Sequence, residues 1–131
     1  IHNKKKIDGS SYNLNDIKIW KIPLNGTIYE AEKAALSNVK VEDATDASNG
    51  KEVRYINELD SSVDFKNIKV AQSGDYDIMI RYSNGTGINA SHSIYVNGLP
   101  VGKVDYPASA NWDRYLWAEV KCYLKSGLNT V

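Results

Sequence analysis

The chain has 131 residues, 42% of them hydrophobic, with sixteen basic side chains against sixteen acidic ones. That is enough for one domain with a real core, too apolar for disorder, and too neutral to draw nucleic acid or an anionic membrane by charge. No apolar run approaches the roughly 18 residues that a membrane span needs, and Ile1–Lys6 is too polar for a signal peptide, so the chain reads as a piece of something longer.

Helix signals are nearly absent, and period-two segments recur between turn residues. Leu14–Ile22 alternates Leu14, Asp16 and Lys18 against Asn15, Ile17 and Ile19. Ile28–Lys33 reads as a short strand, and the small, polar Asp43–Gly50 as a loop. Glu52–Asn57 sets Val53 and Tyr55 against Arg54 and Ile56, and Val63–Val70 reads as one kinked strand. Tyr76–Tyr82 opposes Tyr76, Ile78, Ile80 and Tyr82 to Asp77, Met79 and Arg81. Ser91–Asn97 sets His92, Ile94 and Val96 against Ser93 and Tyr95. Asn97-Gly98, ahead of Val101–Val104, supplies the two positive-φ residues of a tight hairpin. Tyr115–Leu124 is a long strand, and Leu128–Val131 begins another. This density of alternating segments predicts an all-β sandwich or barrel. Cys122, in line with Ala118, Val120 and Leu124, reads as a small buried hydrophobe.

The chemistry-bearing residues are few. There is no nucleophile elbow, zinc-binding His-Glu-x-x-His, phosphate loop or Cys–His metal spacing, and no second, differently buried acid to complete a glycosidase pair. The chain is therefore read as non-catalytic. Glu30 and Glu32 lie two apart on the expected strand, so their carboxylates share one side. Two readings stay open for them: a solvated edge, or a cation placed between two charges that would otherwise repel. Tyrosines number nine and tryptophans three against one phenylalanine, a bias that suits both cores and exposed recognition. Trp112 follows a Pro-Ala-Ser-Ala-Asn stretch and reads as a loop-tip residue or an edge-of-core anchor. Trp117 reads as structural, and Trp20 as either.

Several stretches occur together in one order. They are Tyr29-Glu30-Ala31-Glu32; Ser73-Gly74-Asp75-Tyr76-Asp77-Ile78; Arg81 to Gly87; Ser91 to Gly98; Asp105-Tyr106-Pro107 before Asn111-Trp112; and Leu124 to Val131. In that order they resemble the family 35 carbohydrate-binding modules and their family 6 relatives, over about Ile28 to Val131. The resemblance implies a β-sandwich of jelly-roll type that binds a glycan of plant or microbial origin for an attached carbohydrate-active enzyme. A secreted, monomeric module with no nucleic-acid or membrane partner is expected. It implies a structural calcium on Glu30 and Glu32, with Asn15 in place of the family's acidic residue. It implies a ligand site in the loops at one end, carried by Tyr55, by Asn84 and His92 at the two ends of one loop, by Trp112 and by the loop His2–Asn13. His92 shares a side with Ile94 and Val96, so a satisfied core histidine is an equal reading. Some family members hold uronic acids with an arginine where this chain has Ile88-Asn89-Ala90-Ser91-His92, which points to a neutral sugar here.

One departure concerns order. Asn13-Leu14-Asn15-Asp16-Ile17-Lys18-Ile19 looks like the strand that closes such modules, yet here it comes first. The expectation is a circularly permuted single module, residues 1–131, in which residues 1–24 complete the sheets. The alternative is that residues 1–24 are the tail of an upstream domain plus a linker. A rival function is a structural or protein-interaction sandwich of a secreted or cell-surface protein.

Overall fold

A computed structural model describes residues 1–3, 18–24, 27–58 and 60–131. Five strands form one sheet in the order β11 (Leu99–Tyr106), β10 (Ala90–Val96), β1 (His2–Asn3), β7 (Ser61–Asp64) and β4 (Ala35–Ser37). The second sheet runs β12 (Leu116–Leu124), β9 (Gly74–Ser83), β2 (Lys18–Leu24), β6 (Lys51–Arg54) and β5 (Lys40–Asp43), with β3 (Thr27–Glu30) also paired to β2. β8 (Ile68–Val70) and β13 (Gly127–Asn129) make a separate antiparallel ribbon. The pairings within both large sheets are antiparallel, so one face of each strand turns inward and alternate residues form the core.

That alternation is visible in the burial. Ile78, Ile80 and Tyr82 of β9 pack with Ile19, Val53, Ala118, Cys122 and Leu124 of the same sheet. They meet Val63, Ile94, Val104 and Tyr106 of the other sheet, all buried. Each fully buried Ile or Leu contributes about 1.5–3 kcal/mol. The Asn97-Gly98 hairpin forms as expected, with φ of 51° and 83°. Trp117 faces outward, 42% exposed, with the Arg81 guanidinium 4.8 Å from its ring centre.

The amino-terminal segment sits in the middle of the structure. β1 lies between β10 and β7, and β2 between β9 and β6. Without them each sheet would have an open seam. The expected strand Leu14–Ile22 is met from Lys18 onward, whereas residues 4–17, which include Asn15 and all of the expected loop His2–Asn13 beyond Asn3, lie outside the described residues.

Other boundaries differ from the sequence reading. Ile28–Lys33 is not one strand: β3 ends at Glu30, and Ala31–Lys33 form a 3-10 turn that buries Ala31. Val63–Val70 is two strands in different sheets, because the turn at Lys66-Asn67 redirects the chain after Phe65. Strand β6 ends at Arg54, since Tyr55 takes φ = 62°. That left-handed residue breaks the alternation, so Ile56 is buried together with Val53 instead of opposing it. β4 and β5 carry no clean alternation and were legible only through their partners.

Candidate site at the loop end of the sandwich

Antiparallel order fixes which loops meet. β9 ends and β10 begins at the same end of the sandwich, joined by residues 84–89. β2 runs antiparallel to both β9 and β6, so β6 also finishes at that end. Residues 55–58 and 60, the β4–β5 link at 38–39 and the β11–β12 link at 107–115 therefore lie at that end too. Tyr55, Asn84 and Trp112, chosen from three separate stretches, thus belong to one end of the molecule.

A cavity of about 630 Å³ opens there, lined by Asn38, Val39, Lys40, Tyr55, Asn57 and Glu58. Tyr55 is 36% exposed. Its ring lies 4.3 Å from the Arg54 guanidinium and 5.5 Å from the Lys40 ammonium, which hold it as a cation–π platform. Arg54 is itself anchored to Glu42 at 2.9 Å. The two loops that line the cavity are tied by buried Ser61: its hydroxyl donates to the Asn38 carbonyl at 2.8 Å and accepts from the Glu58 amide at 3.1 Å. Sequence reasoning found Tyr55 but missed Asn38, Lys40, Asn57 and Glu58. Their common signal, polar residues beside positive-φ positions, is shared by many loops; Asn38 has φ = 50° and Asp60 φ = 66°.

Asn84 does not face a ligand. It is fully buried, and its side-chain amide donates to the carbonyls of Ile88 at 2.8 Å and Tyr106 at 2.9 Å. Its Oδ1 accepts from Thr86 Oγ1 at 2.6 Å and from the Thr86 amide at 3.2 Å. Its backbone exchanges hydrogen bonds with Ser109. These bonds saturate the amide, so Asn84 organises the loop from within.

His92 is likewise corrected. It is 2% exposed, with Nε2 3.1 Å from the Ile56 carbonyl and Nδ1 3.2 Å from the Tyr106 hydroxyl. A carbonyl can only accept, so Nε2 carries the proton and Nδ1 accepts from the phenol. Burial lowers its pKa to about 3, and the ring is a neutral core group. Trp112 is half-buried, its indole lying flat on Gly85: a Cβ there would sit 2.7 Å from the ring. Trp112 belongs with the 84–88 loop and is not among the residues lining the Tyr55 cavity.

Glu30 and Glu32 end up on different elements but converge on one turn. Ser48 Oγ donates to Glu30 Oε2 at 2.8 Å, and Asn49 Nδ2 donates to Glu32 Oε1 at 2.6 Å. The other oxygen of Glu32 is buried and takes no hydrogen bond among the described residues. A cation ligand fits an oxygen of that kind. Among the described residues no group of three or more His, Cys, Asp or Glu side chains forms a metal cluster, and Asn15 lies outside them.

Comparison with known proteins matches residues 30–131 to the family model described as carbohydrate binding module (family 6). A family 35 carbohydrate-binding module from Clostridium thermocellum superposes with a TM-score of 0.75 at 28% identity, covering 79% of this chain and 82% of that one. A cycloisomaltooligosaccharide glucanotransferase of Niallia circulans is 29% identical over 131 aligned residues, 92% of this chain but 13% of the enzyme. An exo-beta-D-glucosaminidase of Amycolatopsis orientalis is 29% identical over 111 residues, 83% of this chain and 11% of that protein. The chain therefore spans only about an eighth of the length of these curated relatives.

Proposed function

We propose a sugar-recognition role for the Tyr55 cavity, starting from the fact that this chain belongs to the family 6 carbohydrate-binding modules. The chain is a non-catalytic carbohydrate-binding domain, and related enzymes carry such a domain as a small part of a much longer polypeptide. The observation that carries the site is Tyr55: a part-exposed aromatic ring, braced by Arg54 and Lys40, in the wall of a cavity of about 630 Å³ at the loop end. Sugars need an apolar face for ring C–H groups and polar side chains for hydroxyls. Tyr55 with Val39 supplies the first, and Asn38, Asn57, Lys40 and Glu58 supply the second. One ammonium and one carboxylate in the lining balance, which favours a neutral sugar over a uronate.

The remaining readings are proposals on the same footing. A structural calcium would be held by Glu30, by the buried oxygen of Glu32 and by Asn15, stiffening the turn where β3 meets the 48–50 segment. The strand order is a circular permutation of the family's, with residues 1–24 closing the sheets. The module is secreted and tethers an attached enzyme to a plant or microbial polysaccharide, raising local concentration without touching the bond that is cleaved.

Calorimetric titration with neutral and uronate oligosaccharides tests the site. A neutral glycan should bind, and Tyr55→Gly should weaken it at least tenfold, about 1.4 kcal/mol. Glycine keeps the φ of 62° without strain, so the melting temperature should hold. Silence across the glycans, or an unchanged affinity in Tyr55→Gly, sinks the assignment, and silence alone favours an interaction domain.

A further inference from the structure

Tyr55 holds a left-handed φ of 62°. A residue bearing a Cβ keeps that conformation only where its surroundings enforce it, and such strained residues gather at ligand clamps. The enforcing contacts lie at the next residue. The Ile56 side chain is fully buried in the core, and its carbonyl lies 3.1 Å from His92 Nε2. His92 belongs to β10 of the five-stranded sheet, whereas the loop carrying Tyr55 leaves β6 of the other sheet. The bond therefore pins a loop of one sheet to the frame of the other. The imidazole is itself fixed. The Tyr106 hydroxyl donates to Nδ1 at 3.2 Å, and the buried Tyr106 ring meets the imidazole edge-on, with 5.0 Å between centres. Tyr82 packs edge-on against Tyr106 at 4.9 Å and donates from its hydroxyl to the Pro107 carbonyl at 2.7 Å. Neither tyrosine is among the residues lining the Tyr55 cavity, so the ring is held in place from behind.

We propose that His92 is a positioning residue for glycan recognition: its Nε2–H draws the Ile56–Asn57 peptide inward and so holds Tyr55 and Asn57 in the cavity wall. The proposal rests on the reading of that cavity as the sugar site. A trans peptide carries its C=O and N–H on opposite sides. With the carbonyl turned to His92, the Asn57 N–H turns away from the core, and Asn57 and Glu58 follow into the lining. Ser61 ties the far side of this loop to Asn38. His92 fixes its middle, beside the aromatic ring. Without that bond the buried Ile56 carbonyl must find another donor, and Tyr55 is released toward the extended φ that a residue with a Cβ prefers. Apparent affinity falls with the fraction of chains in the competent state, so a loop relaxed about four-fifths of the time binds about fivefold more weakly.

Two conservative substitutions separate the hydrogen bonds of His92. Glutamine places its amide nitrogen as many bonds from Cα as Nε2, so His92→Gln keeps a donor for Ile56 and leaves the Tyr106 hydroxyl without its acceptor. Asparagine places its amide oxygen as many bonds from Cα as Nδ1, so His92→Asn keeps the Tyr106 bond and releases the Ile56 carbonyl. Each variant strands one buried polar group, so both should melt below wild type by similar amounts. If His92 served the core alone, affinity would follow stability. Calorimetric titration with neutral gluco-, galacto- and xylo-oligosaccharides, on protein shown folded by its melting curve, should separate the two. The Kd should stay within about twofold of wild type in His92→Gln and rise about fivefold or more in His92→Asn. Equal affinities in the two variants overturn the proposal. Should His92→Asn not fold, NMR of the imidazole nitrogens in wild type takes its place. The chain has two histidines, so His92→Gln assigns the signals by difference. The bound oligosaccharide should shift the His92 Nε2 resonance, and an unmoved resonance overturns the proposal. A wild type that binds none of the sugars, or binds them as well in Tyr55→Gly, fails at the cavity and takes this proposal with it. Binding that Tyr55→Gly weakens, but that is indifferent to which amide replaces His92, fails here alone.

Discussion

Lowering the pH from 7 to 4 tests whether His92 is the neutral core group that its surroundings describe. The ring is 2% exposed and held between the Ile56 carbonyl and the Tyr106 hydroxyl. A second ring proton, on Nδ1, would displace the bond donated by the Tyr106 hydroxyl, and its charge would be buried. Its pKa accordingly falls from about 6.5 to about 3 on folding, burial being the largest cause. Because the folded value is the lower one, the unfolded chain binds the extra proton first. The stability this group provides is complete above pH 6.5 and drains away as pH falls toward 3. At about 1.4 kcal/mol per pH unit, the loss between pH 7 and pH 4 is about 3 kcal/mol. Urea unfolding of wild type and His92→Phe at both pH values reads it. At pH 7 the variant should be less stable by about 1–3 kcal/mol, since it strands a buried carbonyl and a buried hydroxyl. At pH 4 that gap should close or reverse, because the carboxylates titrate alike in both chains. A gap of equal size at the two pH values would mean that His92 does not stay neutral in the core, and the reasoning would fail.

Three further substitutions probe the loop end and the acidic turn. Asn84→Ala should cost about 2–4 kcal/mol by removing buried hydrogen bonds to Ile88 and Tyr106. Asn84→Asp should cost more, since it turns a carboxylate oxygen toward those two carbonyls; equal urea midpoints for the two variants would contradict the assigned amide orientation. Gly85→Ala should push the Trp112 indole off its seat, because the new Cβ would lie 2.7 Å from the ring, and should cost about 1–3 kcal/mol. A shifted tryptophan emission maximum reports the displacement. If calcium occupies the turn, EDTA should lower the melting temperature by several degrees, since a site at a hundredfold excess over Kd contributes about 2.7 kcal/mol. Glu30→Gln should reproduce that loss without further response to EDTA, whereas an unmoved melting curve in both would leave the Ser48 and Asn49 contacts as the whole role of Glu30 and Glu32.

What the sequence by itself determined is whatever depends on neighbours along the chain. The alternation in Tyr76–Tyr82 names its own inward face because side chains in a strand repeat every second residue, and Ile78, Ile80 and Tyr82 are buried accordingly. Asn97-Gly98 names its own turn because both residues tolerate positive φ. The order of motifs from Tyr29 to Val131 carried the family, and the alternation read over Leu14–Ile22 pointed to an amino-terminal strand, which the described residues show from Lys18 onward between β9 and β6. Only the tertiary structure decided the rest. His92 could have pointed to a ligand or to the core until Ile56, 36 residues earlier, supplied the acceptor for Nε2. Tyr55 could have continued an alternating strand until the turn after Arg54 bent it to φ = 62° and made it a wall of a cavity shared with Asn38 and Lys40. Glu32 left the strand it was read into, yet still converged with Glu30, through a turn at Ser48-Asn49. In each case the deciding partner lies many residues away, brought close by strand pairing, and local pattern holds no record of a contact made across the sheet.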